Sequence, residues 1–520
     1  MRAFDKVAER PTPAVRPRIS RGLALLASVA GILALGLWNL DGPPMWWDEG
    51  WTLSVARNWA ERGFYGRLLL GQLSPPGLEA SFWVTWPVSL GMRLFGVGLW
   101  QGRVFGVLCA AAALVLCHLL AARLYSRRVA IGALGGLLLL SAHPQLHPLL
   151  MGRQVLGEMP MLTYLLAGWL CLHNALRGRD WWLLPGALLF ALAVQAKAQT
   201  MPFWLTSMAV ALAVMLIRQR WRAAVRLALA FAGGLVLQPA LDMARDSIIG
   251  GRTLPVAGVQ GLVSVMALVT GSFNRGYALT NGLTFGVLPL LGLGWAAWRW
   301  LRGGWAALDD QDYAVRVSLI AFAGSWFAWY LLLSVGVPRY MFPATFVSSL
   351  FAAALLDDLT DGYRLAATLE RAVEPLRTRR FSRVSAGAWL AILLIAAALP
   401  LTLLGLARYY PLVDRSAFAV AEYLNGRPPG TRIETYESEL HFLLRQPYHF
   451  PPDQTHVALN RRSLLHEATP IDYDPLAANP DYLVIGEFAR GNDLYASAVA
   501  AGPFRLAQRI GQYEVYARAR

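Results

Sequence analysis

The chain has 520 residues, a formal net charge of +15 and a mean hydropathy of +0.42. It is 56% hydrophobic and only 15% charged. Soluble domains typically carry about 25% charged residues, so the composition excludes a large soluble enzyme and predicts a polytopic membrane protein. The positive charge is typical of basic loops that orient a membrane chain. No basic face with interleaved aromatic residues accompanies it, so we expect no nucleic-acid partner.

Apolar runs of membrane-spanning length recur from the N-terminal region to about residue 406. A hydrocarbon core about 30 Å thick needs about 20 helical residues. The first run follows a basic segment and has no small-x-small cleavage site, so we expect an uncleaved first span. The pattern predicts a mainly α fold, a polytopic membrane helical bundle of about eleven spans. The runs are 22–40, 99–122, 129–143, 158–176, 182–198, 200–217, 222–242, 283–301, 316–335, 340–357 and 386–406.

Basic residues predict how these spans are oriented. With the N-terminus in the cytoplasm, every strongly basic loop falls on the cytoplasmic side, as the positive-inside tendency requires. We therefore predict a multi-pass protein of the cytoplasmic (inner) membrane. The outer side then holds the region around Asp48, the stretches 144–157 and 243–282, and the corner at 338–340. The basic loops are 123–128, 177–179, 218–226, 299–302 and 377–383.

Two further apolar stretches would reverse this pattern if they crossed the membrane. The first is 78–96, which contains Pro87 and Arg93, and the second is 256–272. A helix that lies at the membrane surface, or dips in and returns, keeps the basic loops on one side. We therefore predict that neither stretch spans the membrane.

The composition changes after the last apolar run. Asp, Glu, Arg, Pro and Tyr are mixed throughout 408–520. The segments "TRIETY", "DYLVIG" and a final hairpin are typical of strands, whereas 417–425 and 492–501 are typical of helices. We predict a membrane domain over 1–407, with a first outer loop at 41–98. A small extracytoplasmic α/β domain over 408–520 follows it.

Two adjacent acids, Asp48 and Glu49, follow the first span in "PPMWWDEGWTLSVARNW". Acidic residues near a helix start suit the helix dipole, so a purely structural role is one interpretation. The other is a general base at the membrane surface, because carboxylates beside a span are functional when they face a cavity. The spacing alone leaves both interpretations open.

Other charged residues also map to the outer ends of predicted spans. They are Arg153 and Glu158 in "RQVLGE", Lys197 in "ALAVQAKAQ", and Arg339 with Tyr340 in "PRYMFP". Each of the charged residues can be explained as an ordinary charge at the membrane interface. For Lys197 the explanation is a side chain that snorkels to the interface. Taken together they fit an outer cavity with a base and cationic groups for a lipid phosphate. No metal-binding cluster is predicted.

The ordered motifs resemble the GT-C superfamily of integral-membrane glycosyltransferases. The sequence is most similar to the protein O-mannosyltransferase and aminoarabinose-transferase-like branch, including the RgtA/B/C/D-like group. The motifs are "WDEGWTLSVARN", "SPPG", "GVGLWQGRVFGVL", "RQVLGE", "ALAVQAKAQ" and "PRYMFP", in that order. The resemblance covers about residues 20–350.

The resemblance implies helices around an outward-facing catalytic cavity and a polyprenyl-phosphate-linked sugar donor. It implies an inverting transfer in which Asp48 is the base and Glu49 supports it. Lys197 and Arg339 would stabilise the departing lipid phosphate. The acceptor would be a glycan, a lipid or a protein of the cell envelope. No cofactor is certain, and the need for a divalent cation stays open.

The sequence departs from the family pattern at two positions. Ser74 precedes the double proline where relatives often carry Lys or His, so a phosphate contact is missing or comes from Arg252 or Arg275. Glu158 stands where Asp is common. We expect the donor to be held differently here.

Two other functions are compatible with the sequence. A transporter or flippase of a lipid-linked saccharide would also need cationic cavity residues, but transporters usually show internal repeats and the sequence has none. A structural or assembly protein would act through the outer domain, and Asp48 would then be dispensable.

Overall fold

The computed structural model describes residues 21–75, 80–250, 275–378 and 382–519, and helices dominate it. The helices of its membrane part are α1 Arg21–Leu37, α2 Trp47–Arg62, α3 Phe82–Phe95, α4 Leu99–Leu124, α5 Arg127–Leu139, α6 Pro148–Gly152, α7 Glu158–Leu176, α8 Leu183–Ala196, α9 Met201–Ile217, α10 Trp221–Ile248, α11 Arg275–Phe285, α12 Val287–Leu301, α13 Asp310–Leu332, α14 Phe342–Leu359, α15 Leu365–Thr378 and α16 Arg383–Tyr409.

Each of the eleven apolar runs is helical, which confirms a mainly α, multi-pass membrane protein. Six helices of the described residues are long and apolar enough to cross a membrane alone, or seven if the bent pair α11–α12 counts as one span. This is fewer than the eleven runs because some helices are short. Helices α5 and α8 have 13 and 14 residues, about 20 Å each against a core of about 30 Å.

The bundle has a clear centre and a clear periphery. The span that ends in α14 is 89% buried within the protein, whereas the span in α16 is only 22% buried. Aromatic side chains fill the centre, and the Trp169 indole of α7 donates a hydrogen bond to the Ser318 hydroxyl of α13 at 2.9 Å. Helix α14 is therefore surrounded by protein, and α16 leaves most of its surface for lipid.

The stretch 78–96 forms a helix too short to cross the membrane. Helix α3 has 14 residues, about 21 Å, and contains Pro87. The Arg93 guanidinium donates to the Trp59 carbonyl at 2.7 Å, which ties α3 to the end of α2. The 14 residues of α3 are fewer than a span needs, which agrees with the prediction that 78–96 does not cross the membrane. The stretch 256–272 lies outside the described residues.

The small α/β unit after α16 contains a five-stranded mixed sheet. Its strands are β3 Ile433–Thr435, β4 Tyr448–His449, β5 Tyr482–Ile485, β6 Phe504–Ile510 and β7 Tyr513–Arg518. The order is β4-β3-β5-β7-β6, with β3 parallel to β4 and β5 and the other pairs antiparallel. Two more strands, β1 Leu68–Leu69 and β2 Gln72–Leu73, form a separate hairpin.

The predicted strands of this unit are confirmed, and one predicted helix is too long. The final hairpin turns at Gly511, whose positive φ of 55° suits a residue without a side chain. Over 492–501 only Ala496–Ala501 is helical, because Asp493 adopts a positive φ that interrupts the helix. The remaining helices are α17 Ser416–Asn425, α18 Ser438–Leu443, α19 Asp453–Leu465, α20 Glu487–Gly491 and α21 Ala496–Ala501.

The α/β unit packs directly on the first outer loop. The Trp47 indole donates to the Tyr436 carbonyl at 2.9 Å, and the Leu70 amide donates to the Tyr448 carbonyl at 2.7 Å. Helices α2 and α18 meet at Gly50, where an added Cβ would lie 2.4 Å from the Glu439 amide nitrogen. Close backbone contact at this glycine therefore sets the distance between the two helices.

We expect Gly50→Ala to destabilise the protein by about 1–3 kcal/mol, because the new methyl group overlaps the α18 backbone. Thermal unfolding in detergent measures the change. Gly135→Ala in α5 is the control, since no atom lies within 4 Å of its added Cβ. Equal unfolding temperatures for the two variants would show that the α2–α18 contact is not tight.

Candidate active site

Asp48 and Glu49 point in different directions although they are adjacent. Both lie in the first turn of α2, where neighbouring side chains diverge by about 100°. The Asp48 side chain is 43% exposed, and the Glu49 side chain is completely buried. The two acids of the motif therefore have different environments and different possible roles.

Glu49 forms a buried ion pair with Arg103 of α4. Both guanidinium-to-carboxylate bonds, from Nε to Oε1 and from Nη2 to Oε2, measure 2.7 Å. The remaining Arg103 donors bind carbonyls that precede α2, at Leu40, Pro43 and Pro44. All five N–H groups of the guanidinium are used. The pair thus fixes the start of α2 against α4.

Asp48 belongs to a second cluster, in which acids and cations alternate. Its Oδ2 accepts a hydrogen bond from the Arg339 Nη2 at 2.7 Å. The Arg339 Nε lies 3.5 Å from the Glu158 Oε1, and the Lys197 Nζ donates to that same oxygen at 2.7 Å. We call these four residues the charge cluster. The structure brings together four of the residues predicted for the site.

Each member of the charge cluster comes from a different structural element. Asp48 is at the start of α2, and Glu158 begins α7. Lys197 follows the last residue of α8, and Arg339 lies in a short 3₁₀ helix at Pro338–Met341 before α14. All four positions are helix ends, so the cluster depends on the packing of the bundle as a whole.

The electrostatics keep Asp48 ionised. Although its side chain is 43% exposed, the protein atoms around this carboxyl reduce its hydration and oppose its ionisation, but the nearby Arg339 guanidinium outweighs them and holds the Asp48 pKa below the usual range. Lys197 adds a smaller effect in the same direction. A carboxylate in this state accepts protons weakly as long as Arg339 remains bound to it.

Tyr340 lies beside the charge cluster, and Arg153 does not. The Arg339 guanidinium carbon lies 5.6 Å from the Tyr340 ring centre, and the Tyr340 carbonyl accepts from the Trp326 indole. Arg153 is buried, donates to the Asn39 carbonyl and stacks over Tyr410 at 4.9 Å. Arg153 is therefore not a member of the charge cluster, unlike the other two predicted cations, Lys197 and Arg339.

Within the described residues, the structure reveals no cation that takes the place of the Lys or His expected at Ser74. The Ser74 hydroxyl is buried, and it has no hydrogen-bond partner in the described part of the chain. Arg252, one predicted replacement, lies outside the described residues. Arg275, the other, is exposed at the first residue of α11.

Sequence reasoning missed two groups at the site. Arg103 stands inside the quoted motif "GVGLWQGRVFGVL", and a charge five residues into an apolar span is a signal for a buried partner. His456, from α19, stacks on Trp47 with ring centres 4.6 Å apart. Burial lowers the pKa of His456 to about 4, although Asp48 opposes this, so the imidazole is neutral at pH 7.

The local sequence around His456 gave no signal of its position. Its Nε2 accepts from the Asn460 amide at 2.9 Å, and its Nδ1 therefore donates to the Tyr436 hydroxyl at 2.6 Å. Only the packing of the α/β unit on α2 brings this ring, about 400 positions along the chain, towards Asp48.

The carboxylates of the site do not form a typical metal-binding set. Within the described residues, no group of three or more His, Cys, Asp or Glu side chains is placed to hold a metal ion. Arg339 and Lys197 already neutralise Asp48 and Glu158. Both carboxylates therefore lie beside positive charges, which disfavours a divalent cation there.

Comparison with solved structures identifies the fold. The crystal structure of ArnT from Cupriavidus metallidurans bound to undecaprenyl phosphate matches with a TM-score of 0.63 and 16% identity, covering 95% of this chain and 97% of that one. The oligosaccharyltransferase of Archaeoglobus fulgidus in its apo form matches with a TM-score of 0.56 and 14% identity, covering 93% and 72%. The chain has the GT-C fold.

Two further comparisons refine this result. A family model described as dolichyl-phosphate-mannose-protein mannosyltransferase matches residues 79–241. The Archaeoglobus fulgidus AglB in complex with an inhibitory peptide and a dolichol-phosphate matches with a TM-score of 0.54 and 14% identity, covering 92% of this chain and 70% of that one. No curated protein has a significantly similar sequence. The resemblance predicted from the ordered motifs is confirmed at the level of the fold.

We expect Glu49→Gln to destabilise the protein by about 3–5 kcal/mol, because it leaves the Arg103 charge buried without a counter-ion. Asp48→Asn is the matched control, since it is also a change of acid to amide and its carboxylate is 43% exposed. Thermal unfolding in detergent compares the two variants. A larger loss of stability for Asp48→Asn than for Glu49→Gln would contradict the assignment of Glu49 to a structural role and of Asp48 to an open position.

Proposed function

We propose that this protein transfers a sugar from a polyprenyl-phosphate-linked donor to an acceptor of the cell envelope, with inversion at the anomeric carbon. The charge cluster carries the proposal, because it places a carboxylate and two cations side by side at helix ends. A match to ArnT bound to undecaprenyl phosphate supports it, since the two chains share a fold over nearly their whole lengths.

Lys197 and Arg339 are the groups that bind the donor phosphate. Both are cations whose present partners are carboxylates, and phosphate oxygens accept the same kinds of hydrogen bond. The Lys197 side chain is 19% exposed and the Arg339 side chain 11%, so both reach the surface of the cluster. Glu158 holds the two cations in place between them.

Asp48 is the base. The acceptor hydroxyl oxygen attacks the anomeric carbon, the bond from that carbon to the phosphate oxygen breaks, and the hydroxyl proton passes to the Asp48 carboxylate. The bonding electrons leave with the polyprenyl phosphate, whose charge Arg339 and Lys197 stabilise. Glu49 acts through Arg103 and does not touch the reactants.

Arg339 links the two halves of the reaction. Without donor, its Nη2 binds Asp48 and lowers the pKa of that carboxyl. Once a donor phosphate shares the guanidinium, Asp48 loses part of this interaction and its pKa rises towards a value better suited to accept a proton. Binding of the donor thus makes the base more effective.

The acceptor is a glycan, a lipid or a protein. Residues 408–520 form the outer domain that helps to enclose it, because His456 and Tyr436 of this region lie beside Trp47 and close to Asp48. The reaction takes place at the outer face of the cytoplasmic membrane, in the orientation that the basic loops predict. No step of this mechanism requires a divalent cation.

We expect Asp48→Asn to reduce transfer by about 10²–10⁴-fold, because the acceptor loses its base. Mass spectrometry of cell-envelope glycans from cells with and without the protein identifies the transferred sugar, and the same assay then measures the variant. Asp41→Asn is the control, since Asp41 lies in the same loop and pairs with the exposed Arg415. A normal glycan profile with Asp48→Asn would rule out the base, whereas a flippase would tolerate this change.

We expect Arg339→Gln to move the acid limb of kcat/KM for the donor to higher pH. In the unaltered protein Arg339 lowers the Asp48 pKa, so the base stays ionised at a pH at which an ordinary aspartate is already partly protonated. Without that cation the pKa rises and protonation removes the base at a higher pH. Arg415→Gln, which removes a distant guanidinium, leaves the limb in place. An unchanged limb in Arg339→Gln would show that Asp48 is not the titrating group.

A further inference from the structure

A polar cavity lies far from the charge cluster. It has a volume of about 290 Å³, close to the lower limit of small-molecule sites, which is about 300 Å³. Its lining includes Tyr125, Arg299, Trp305, Arg316, Asp357 and Asp358. Arg316 is 16 residues before the end of α13, a distance of about 24 Å along the helix. The cavity is therefore at the opposite end of the bundle from Arg339.

Arg316 is a buried cation whose Nε has no hydrogen-bond partner among the described residues. The residue is only 7% exposed, and Asp312, one helical turn earlier, attracts it without forming a salt bridge within 4.0 Å. Arg316 lies over the Tyr125 ring at 3.9 Å and over the Trp305 ring at 5.2 Å. A buried guanidinium with free N–H groups is costly unless a ligand or water accepts from them.

Asp357 supplies the opposite charge in the same cavity. Its Oδ1 is buried and has no hydrogen-bond partner among the described residues. Asp357 and Arg316 do not pair with each other, since no salt bridge within 4.0 Å joins them in the described chain. The cavity lining thus includes a guanidinium Nε and a carboxylate Oδ1 that both lack a hydrogen-bond partner in the part of the chain described, although Asp312 attracts Arg316 and Arg128 attracts Asp357.

We propose that this cavity binds the headgroup of a phospholipid that carries a phosphate and a primary amine. Arg316 and Arg299 would bind the phosphate, and Asp357 with Asp358 would bind the ammonium group. A single headgroup of this kind provides hydrogen-bond partners for both the Arg316 Nε and the Asp357 Oδ1. The cavity lies between basic ends of spans, at Arg299 and after Tyr125, where lipid headgroups meet a membrane protein.

The cavity fits this headgroup better than two common alternatives. An anionic headgroup without an amine would leave Asp357 unpaired and place a negative charge near two carboxylates. A quaternary ammonium group prefers open aromatic faces, but Arg316 already covers the rings of Tyr125 and Trp305. A primary ammonium donates hydrogen bonds directly to carboxylates.

Competition between lipids tests the proposal on the full-length protein in detergent. Native mass spectrometry measures which lipid is retained from an equal mixture of phosphatidylethanolamine, phosphatidylcholine and phosphatidylglycerol with identical acyl chains. We expect preferential retention of phosphatidylethanolamine, and its displacement by soluble phosphoethanolamine but not by phosphocholine. Equal retention of the three lipids would overturn the proposal.

Two variants separate the two halves of the headgroup. We expect Arg316→Gln to weaken retention of phosphatidylethanolamine about tenfold, the effect of losing a charged hydrogen bond. Asp357→Asn should remove the preference for phosphatidylethanolamine over phosphatidylcholine. The controls are Arg302→Gln and Asp361→Asn, two exposed residues near the same end of the bundle. A preference unchanged by Asp357→Asn would overturn the role of the carboxylate, independently of any transferase activity.

Discussion

The buried pair between Glu49 and Arg103 is the contact on which the outer part of the structure depends. It uses all five donors of the guanidinium, joins α2 to α4, and holds the chain that leads from the first span. A buried ion pair is stabilising only when its hydrogen bonds are complete, and here they are. Because Asp48 directly precedes Glu49, this pair also fixes the direction of the partly exposed Asp48 carboxylate.

The charge cluster shows how a membrane protein can hold several charges together. Acids and cations alternate from Asp48 through Arg339 and Glu158 to Lys197, so each charge has an opposite neighbour. In the proposed mechanism a donor phosphate shares the Arg339 guanidinium with Asp48, since phosphate and carboxylate oxygens accept the same kinds of hydrogen bond.

The α/β unit packs on the helix that carries Asp48. It contacts α2 at Gly50 and Trp47, and it brings neutral His456 towards Asp48. Its strands were predictable because β-branched and aromatic residues are concentrated in "TRIETY" and "DYLVIG", as is typical of strands. The position of the unit on α2 was not predictable, because it depends on a glycine contact and on an indole-to-carbonyl hydrogen bond between distant parts of the chain.

The sequence by itself determined the class of the protein, its helical runs and most of the charge cluster. Apolar periodicity is a local property, and polar residues at span ends are few enough to identify individually. Only the tertiary structure decided that Glu49 is buried, that Arg153 stacks on Tyr410, and that Arg316 and Asp357 share a cavity. The physical reason is that pairing between charges depends on how helices rotate and pack, and a linear sequence does not specify those angles.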